Sequence, residues 1–387
     1  MTDIALIDGA RTPHGELLGA LADETAVDLG ATALDGLLDR TGIDPETVDW
    51  VGLGNAIQAG VGQVPARQAV VNAALPLDTP ATTINEASGS GLRAITLAAD
   101  RIDAGRVDFA IAGGMESMSN APYLLPDYRE GRRHGNGEVV DSMIHDGLWD
   151  VDYGGHMGEI TEELIDRENI DRAAIDEYAL RSHERASKHI EAGTFDAETV
   201  AVETPTGLVE RDEGPRPEST LDSLATLPTP FAENGAITPG NASKLADGAG
   251  CVLLADAEAA REHGLGAMAH LVDYAVAYRP PAAFNEAVGD AITNLLDRNG
   301  LEVADIDHYE VNEAFAAQSV YVRDRLGIPD DRLNPTGGAV AFGHPIGASG
   351  GMLGTSLAYA MEREDATYGL VGMSIGGGGG IMALFER

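Results

Sequence analysis

The sequence predicts an α/β fold made of two like halves, with a further segment set between them. Three observations carry that prediction. Short β-rich runs alternate with amphipathic helical stretches along the chain, the pattern of layered α/β domains with mixed sheets. Three pairs of segments repeat at a separation of roughly 260 residues, the mark of a duplicated unit. The stretch 119–249 has no counterpart in that repeat, and it is richer in charge and proline.

The elements follow in order. Ile4–Ile7 is a brief apolar run and reads as a strand. From Glu24 to Arg40 apolar residues recur at helical spacing, and Gly42 and Pro45 stop the helix. Trp50–Leu53 is again strand-like. Phe109–Ala112 and Leu370–Met373 are apolar runs next to glycine, as in buried central strands. The repeat pairs Val48–Val51 with Ile306–Tyr309, Gly89–Ala98 with Ser349–Ala358, and Val107–Ala112 with Thr367–Gly372. One half is therefore expected at 1–118 plus about 250–270, the other at 271–387, and a loop domain at 119–249.

Composition narrows the function classes. The 387 residues carry 63 acidic and 25 basic side chains, a formal charge of −38. The acids are spread along the chain, as in Asp23–Asp28, Asp44–Asp49 and Gly135–Asp141. Such a surface repels nucleic acid and anionic membranes, so neither is an expected partner. Proteins of salt-accumulating organisms carry surfaces of this kind, because concentrated salt screens the self-repulsion. The single cysteine, Cys251, rules out a disulfide within the chain and a cysteine zinc site. Its apolar setting reads as a small buried hydrophobe. No metal cluster is expected; His183 and His189 are spaced wrongly for one helix face. No apolar run reaches about 18 residues, and the start reads as a strand, not a leader. A cytoplasmic protein is expected.

Three glycine-bracketed segments could carry chemistry. In Asn85–Leu92, glycines surround Ser88 at the head of a helical segment. Backbone amides there would stabilise an anion beside an exposed hydroxyl. Ser88 could equally cap the helix. In Gly337–Gly350, His344 is fixed between Gly343 and Pro345, as a general base or as a structural histidine. Ser374 is followed by Ile375 and five glycines, which let backbone amides approach a ligand. A flexible linker is the bland alternative, but a strand resumes at Ile381.

Over essentially its full length the chain resembles thiolases. Gly113–Pro122, Val311–Ala316, Gly343–Gly347 and the terminal Ser374–Gly378 stretch match signatures of that family. Asp141–Leu148 and His156–Gly158 resemble the loop domain of biosynthetic acetoacetyl-CoA members more than that of fatty-acid-degrading ones. The resemblance implies duplicated βαβαβαββ halves in five layers, α-β-α-β-α, with an inserted loop domain. It implies acyl transfer between coenzyme A thioesters in two steps, with no cofactor beyond those substrates. Carried over by position, Ser88 would take the acyl group and His344 would activate it. Ser374 would accept an α-proton, with His344 or His156 sharing that load. Asn312 would hold an oxyanion-hole water, and Gly376 would donate its amide. Arg216 and Ser223 would lie along the nucleotide, and Ser243, Leu148, His156, Met157, Ala314 and Phe315 along the pantetheine arm. The family forms homodimers or homotetramers, and Tyr123–Val139 resembles its tetramerising region. Some archaeal members also work with a small OB-fold subunit.

One departure is chemically serious. Thiolases carry cysteine in the first and third motifs, and this chain has Ser88 and Ser374. A thiol, with a pKa of about 8.5, is partly ionised near neutrality, whereas a serine needs a base. A laboratory trap would rarely be made at both positions. A non-catalytic acyl-CoA-binding scaffold should show erosion at His344 or Asn312, which are intact. A natural serine enzyme, condensing or degradative, explains both changes.

Overall fold

The computed structural model describes residues 2–387. Its first half supplies β1 (Ile4–Arg11), β2 (Trp50–Gly54), β3 (Ala81–Ile84), β4 (Phe109–Ser117) and β5 (Ala246–Asp256). The second supplies β6 (Ala269–Tyr278), β7 (His308–Val311), β8 (Tyr368–Ile375) and β9 (Gly379–Glu386). The order is β7-β8-β9-β6-β1-β5-β4-β2-β3, with Gly15–Glu16 paired to the start of β5. Strands β2, β3 and β4 run parallel to one another, as do β7 and β8. The remaining pairs are antiparallel. Counted outward from the centre, β1-β5-β4-β2 of one half match β6-β9-β8-β7 of the other. The two half-sheets join edge to edge where Ile4–Leu6 pairs with Ala269–Leu271.

Seven longer helices are α1 (Ala26–Thr41), α2 (Ser90–Asp103), α3 (Met157–Glu168), α4 (Arg172–Glu191), α5 (Phe284–Asn299), α6 (Ala316–Leu326) and α7 (Ser349–Glu364). The reading of Glu24–Arg40 and Gly42 corresponds to α1. Thr25 and Asp28 form its capping box, and Gly42 ends it at φ 61°.

Strand alternation sorts the core into three layers. Ile7, Val51, Phe109 and Cys251 face α1 on one outer side. Leu6, Trp50, Val252, Val371 and Phe385 enclose α2 and α7 between the half-sheets. Tyr309, Val311, Leu370 and Leu384 face α5 and α6 on the other outer side. The result is α-β-α-β-α. Leu92 and Ile95 of α2 and Met361 of α7 are fully buried in the middle layer, each contributing about 1.5–3 kcal/mol by burial. At their N-terminal ends the two helices meet backbone to backbone. A Cβ on Gly350 would stand 2.0 Å from the Leu92 amide nitrogen.

The sequence placed the return to the first half near residue 250; the strand begins at Ala246. The segment before it is not a loose excursion. Its Ile160, Ile175 and Tyr178 share one core with α5 and β7.

Candidate active site

Ser88 lies in the turn between β3 and α2. Ala87 before it adopts φ 48°, a left-handed conformation that is costly for a residue with a side chain. Ser90 holds this turn: its Oγ donates to the Ala87 carbonyl at 2.6 Å and accepts the Glu86 amide at 2.9 Å. The N-cap of α2 is Gly89, without a side-chain bond. The capping reading of Ser88 is thus overturned. Its hydroxyl points instead to His344, with Oγ 2.9 Å from Nε2.

His344 enters from the segment before α7. Gly343 takes φ 107°, open only to glycine, and the His344 amide donates to the Lys244 carbonyl at 2.9 Å. On the other side of the ring, Nδ1 lies 2.6 Å from Ser349 Oγ. Ser349 Oγ also reaches the Pro345 carbonyl at 3.1 Å, an acceptor that takes the hydroxyl proton. Ser349 therefore accepts from Nδ1–H, which leaves Nε2 unprotonated toward Ser88. Burial, with the nearby His14, lowers the His344 pKa to about 4, so the ring is neutral at neutral pH. A neutral imidazole with its lone pair on a serine hydroxyl is a general base in place.

Both groups open into one cleft of about 460 Å³, mouth included. Leu148, Met157, Ala314, Phe315 and Ile346 give it apolar walls. Ser243, Ser374 and Gly376 add polar groups. A narrow apolar slot with few polar atoms suits a flexible thioester arm. Ser374 is the penultimate residue of β8, and Gly376 lies in the three-residue loop to β9, so the Gly376 amide is outside the ladder.

Residues 4–258 match the model of the thiolase N-terminal domain, and residues 265–387 that of the thiolase C-terminal domain. The chain belongs to the thiolase family. It is 42% identical over full length to an acetyl-CoA acetyltransferase of Pseudomonas aeruginosa. It is 41% identical to a probable acetyl-CoA acyltransferase of Staphylococcus epidermidis, covering 100% of this chain and 99% of that one. The crystal structure of the Bacillus anthracis acetyl-CoA acetyltransferase superposes with a TM-score of 0.97 at 35% identity, over 100% of this chain and 99% of the other.

Other expected site residues of this thiolase stand apart from the cleft lining. Asn312 is buried and lines an adjoining space with Arg11, His14, Glu310 and Ser349. Its Nδ2 has no hydrogen-bond partner among the described residues, so a buried donor remains for a further acceptor. His156 is the N-cap of α3; its Nδ1 accepts the Gly158 amide at 3.0 Å, and its ring stacks on Phe231. The proton of the neutral ring then sits on Nε2, so His156 donates and cannot share the base role. Arg216 pairs with Glu16 at 2.9 Å on the surface. The Ser223 hydroxyl closes the cap of the short helix Leu221–Ala225, donating to the Thr220 carbonyl.

Two buried carboxylates were missed from sequence. Glu116 accepts from Asn55 Nδ2 (2.7 Å) and from the Ala56 (2.9 Å), Ile57 (3.3 Å) and Gly347 (2.8 Å) amides. It ties the His344 segment to the end of β2. Burial pushes its carboxyl up to about 7 against those donors. Glu313 accepts from Tyr178, Ser182, Asn334 and the Val340 amide, which fixes α4 against the same segment. Both lie inside matched signatures, where an acid amid apolar residues was the available signal.

Proposed function

We propose that the chain is an acyltransferase that condenses acetyl-CoA with acetyl-CoA or a short acyl-CoA, reversibly, to a 3-oxoacyl-CoA. The observation that carries this reading is the 2.9 Å contact of Ser88 Oγ with His344 Nε2 inside the apolar cleft. The printed names of full-length relatives, acetyl-CoA acetyltransferases among them, point the same way.

Ser88 attacks the thioester carbonyl while His344 Nε2 takes the hydroxyl proton. Coenzyme A leaves with that proton, and an oxoester on Ser88 remains. A second thioester loses an α-proton to Ser374 Oγ, whose hydroxyl gives up its own proton in exchange. The α-carbon bonds to the acyl carbon as the bond from that acyl carbon to Ser88 Oγ breaks, and Ser88 Oγ takes the released proton. Asn312 Nδ2 holds a water that forms one oxyanion hole with His344, and the Gly376 amide donates to the other oxyanion. Leu148, Met157, Ser243, Ala314 and Phe315 hold the pantetheine arm beside His156, and Arg216 exchanges Glu16 for a phosphate near Ser223. The chemistry calls for no cofactor beyond the coenzyme A of the substrates.

The same reading places the chain in the cytoplasm of a salt-accumulating cell, on its charge of −38. No described helix is long and apolar enough to cross a membrane. Exposed Tyr123, Leu125, Tyr128 and Val139 support a homodimer or homotetramer.

The test is peptide mass spectrometry after acetyl-CoA treatment in concentrated KCl. An acetyl group on the Ser88 peptide, lost in Ser88→Ala, is expected. A folded, CoA-binding sample that gains no adduct and releases no coenzyme A overturns the reading.

A further inference from the structure

The two hydroxyls of the cleft are unequally equipped. Ser88 has His344 Nε2 at 2.9 Å. Ser374 Oγ lines the same cleft and makes no hydrogen bond to any described residue. A lone aliphatic hydroxyl is a weak acid, and its neutral form is a poor base for a proton on carbon. The carbon–carbon step is therefore poorly served. Water is better served, because His344 is again neutral once coenzyme A has left with the proton. The acceptor side matters too. A serine oxoester is a lower-energy acyl group than a thioester, so return to coenzyme A runs uphill while transfer to water runs downhill. The cleft that holds Ser88 and His344 opens to solvent, so water can reach it.

We propose that the chain is also an acyl-CoA hydrolase: the acyl group on Ser88 partitions to water and leaves as a short carboxylic acid. The inference rests on the acyl-Ser88 reading above. Water oxygen bonds to the acyl carbon as His344 Nε2 takes a water proton. The bond from that carbon to Ser88 Oγ breaks, and Ser88 Oγ takes the proton from His344. The acid ionises into bulk water. The net change is acyl-CoA plus water to carboxylate, a proton and free coenzyme A. Ser349, which fixes the tautomer of His344, serves this step as it serves acylation.

The experiment incubates the full chain with acetyl-CoA in concentrated KCl made with ¹⁸O-water. Coenzyme A, labelled acetate and acetoacetyl-CoA are measured together with the acetyl-Ser88 peptide. Labelled acetate should exceed acetoacetyl-CoA by a factor on the order of ten or more. Ser88→Ala, shown folded by its melting curve, should lose both products. Ser374→Cys should move the ratio toward acetoacetyl-CoA. An acetyl-Ser88 peptide that persists for hours without acetate overturns the hydrolase and leaves the acyltransferase reading standing. Acetate that survives in Ser88→Ala overturns it as well. A product ratio unmoved by Ser374→Cys overturns the assignment of the partition to Ser374. No adduct and no coenzyme A release would overturn the acyl-Ser88 reading itself.

Discussion

Helices α2 and α7 are corresponding elements of the two halves, and each opens on a serine at the centre of the molecule. In the first half Ser90 turns its hydroxyl back to Ala87 and Glu86, and the turn it holds presents a nucleophile. In the second half Ser349 turns its hydroxyl to Pro345 and to His344, and what it holds is the base. Duplication supplied two helix N-termini facing each other across a glycine contact. Divergence of a few residues ahead of each helix then made them complementary.

The comparison breaks most sharply at His344. His344→Gln keeps a side chain of similar reach but removes the proton acceptor. Acetyl-Ser88 formation should fall by at least about a thousandfold, read as the rate of coenzyme A release. In the intact chain that rate should hold from pH 8 down to about 5 and fall as His344 protonates near 4. The sign for stability is the same. Protonation is disfavoured in the folded state, so the His344 contribution is full above the ordinary 6.5 and is lost as pH falls through about 4.

The two opening serines give the next test. Ser349→Ala frees the ring to turn or change tautomer, and acylation should drop about ten- to a hundredfold. Ser349→Thr should restore most of it. Ser90→Ala should cost about 1–2 kcal/mol in chemical denaturation, because it strands the Glu86 amide, with a smaller loss of rate. If both variants lost equal rate and equal stability, the division between a turn-holding serine and a base-holding one would fail.

Much of this architecture was legible because it rests on periodicity. The strands at Ile4, Trp50, Phe109 and Leu370 and the helix stopped by Gly42 follow from apolar spacing and one glycine. The facing helices were visible as the Gly89–Ala98 and Ser349–Ala358 repeat. What sequence left open was direction. Whether Ser88 caps a helix or meets His344 depends on Ser90 taking the turn's hydrogen bonds, and on a contact across 256 residues. Glu116 and Glu313 escaped for the same reason, since their partners come from other elements. His156 was assigned too much, because its Nδ1 is committed to a backbone amide only once α3 forms.

The smallest expected effects lie in the two turns, and they sharpen the contrast. Ala87 pays for a left-handed φ of 48° while carrying a methyl group. Ala87→Gly removes that strain, about 1 kcal/mol, and returns a similar amount as freedom of the unfolded chain. The net stability change should stay below about 1 kcal/mol. Gly343 is the opposite case. At φ 107° a side chain is strained, and a Cβ would stand 2.6 Å from that of Ala246. Gly343→Ala should therefore destabilise by about 1–3 kcal/mol. Paired denaturation curves measure both. Equal losses would mean that the turns tolerate side chains alike, and that the base-bearing turn is no more constrained than the nucleophile-bearing one.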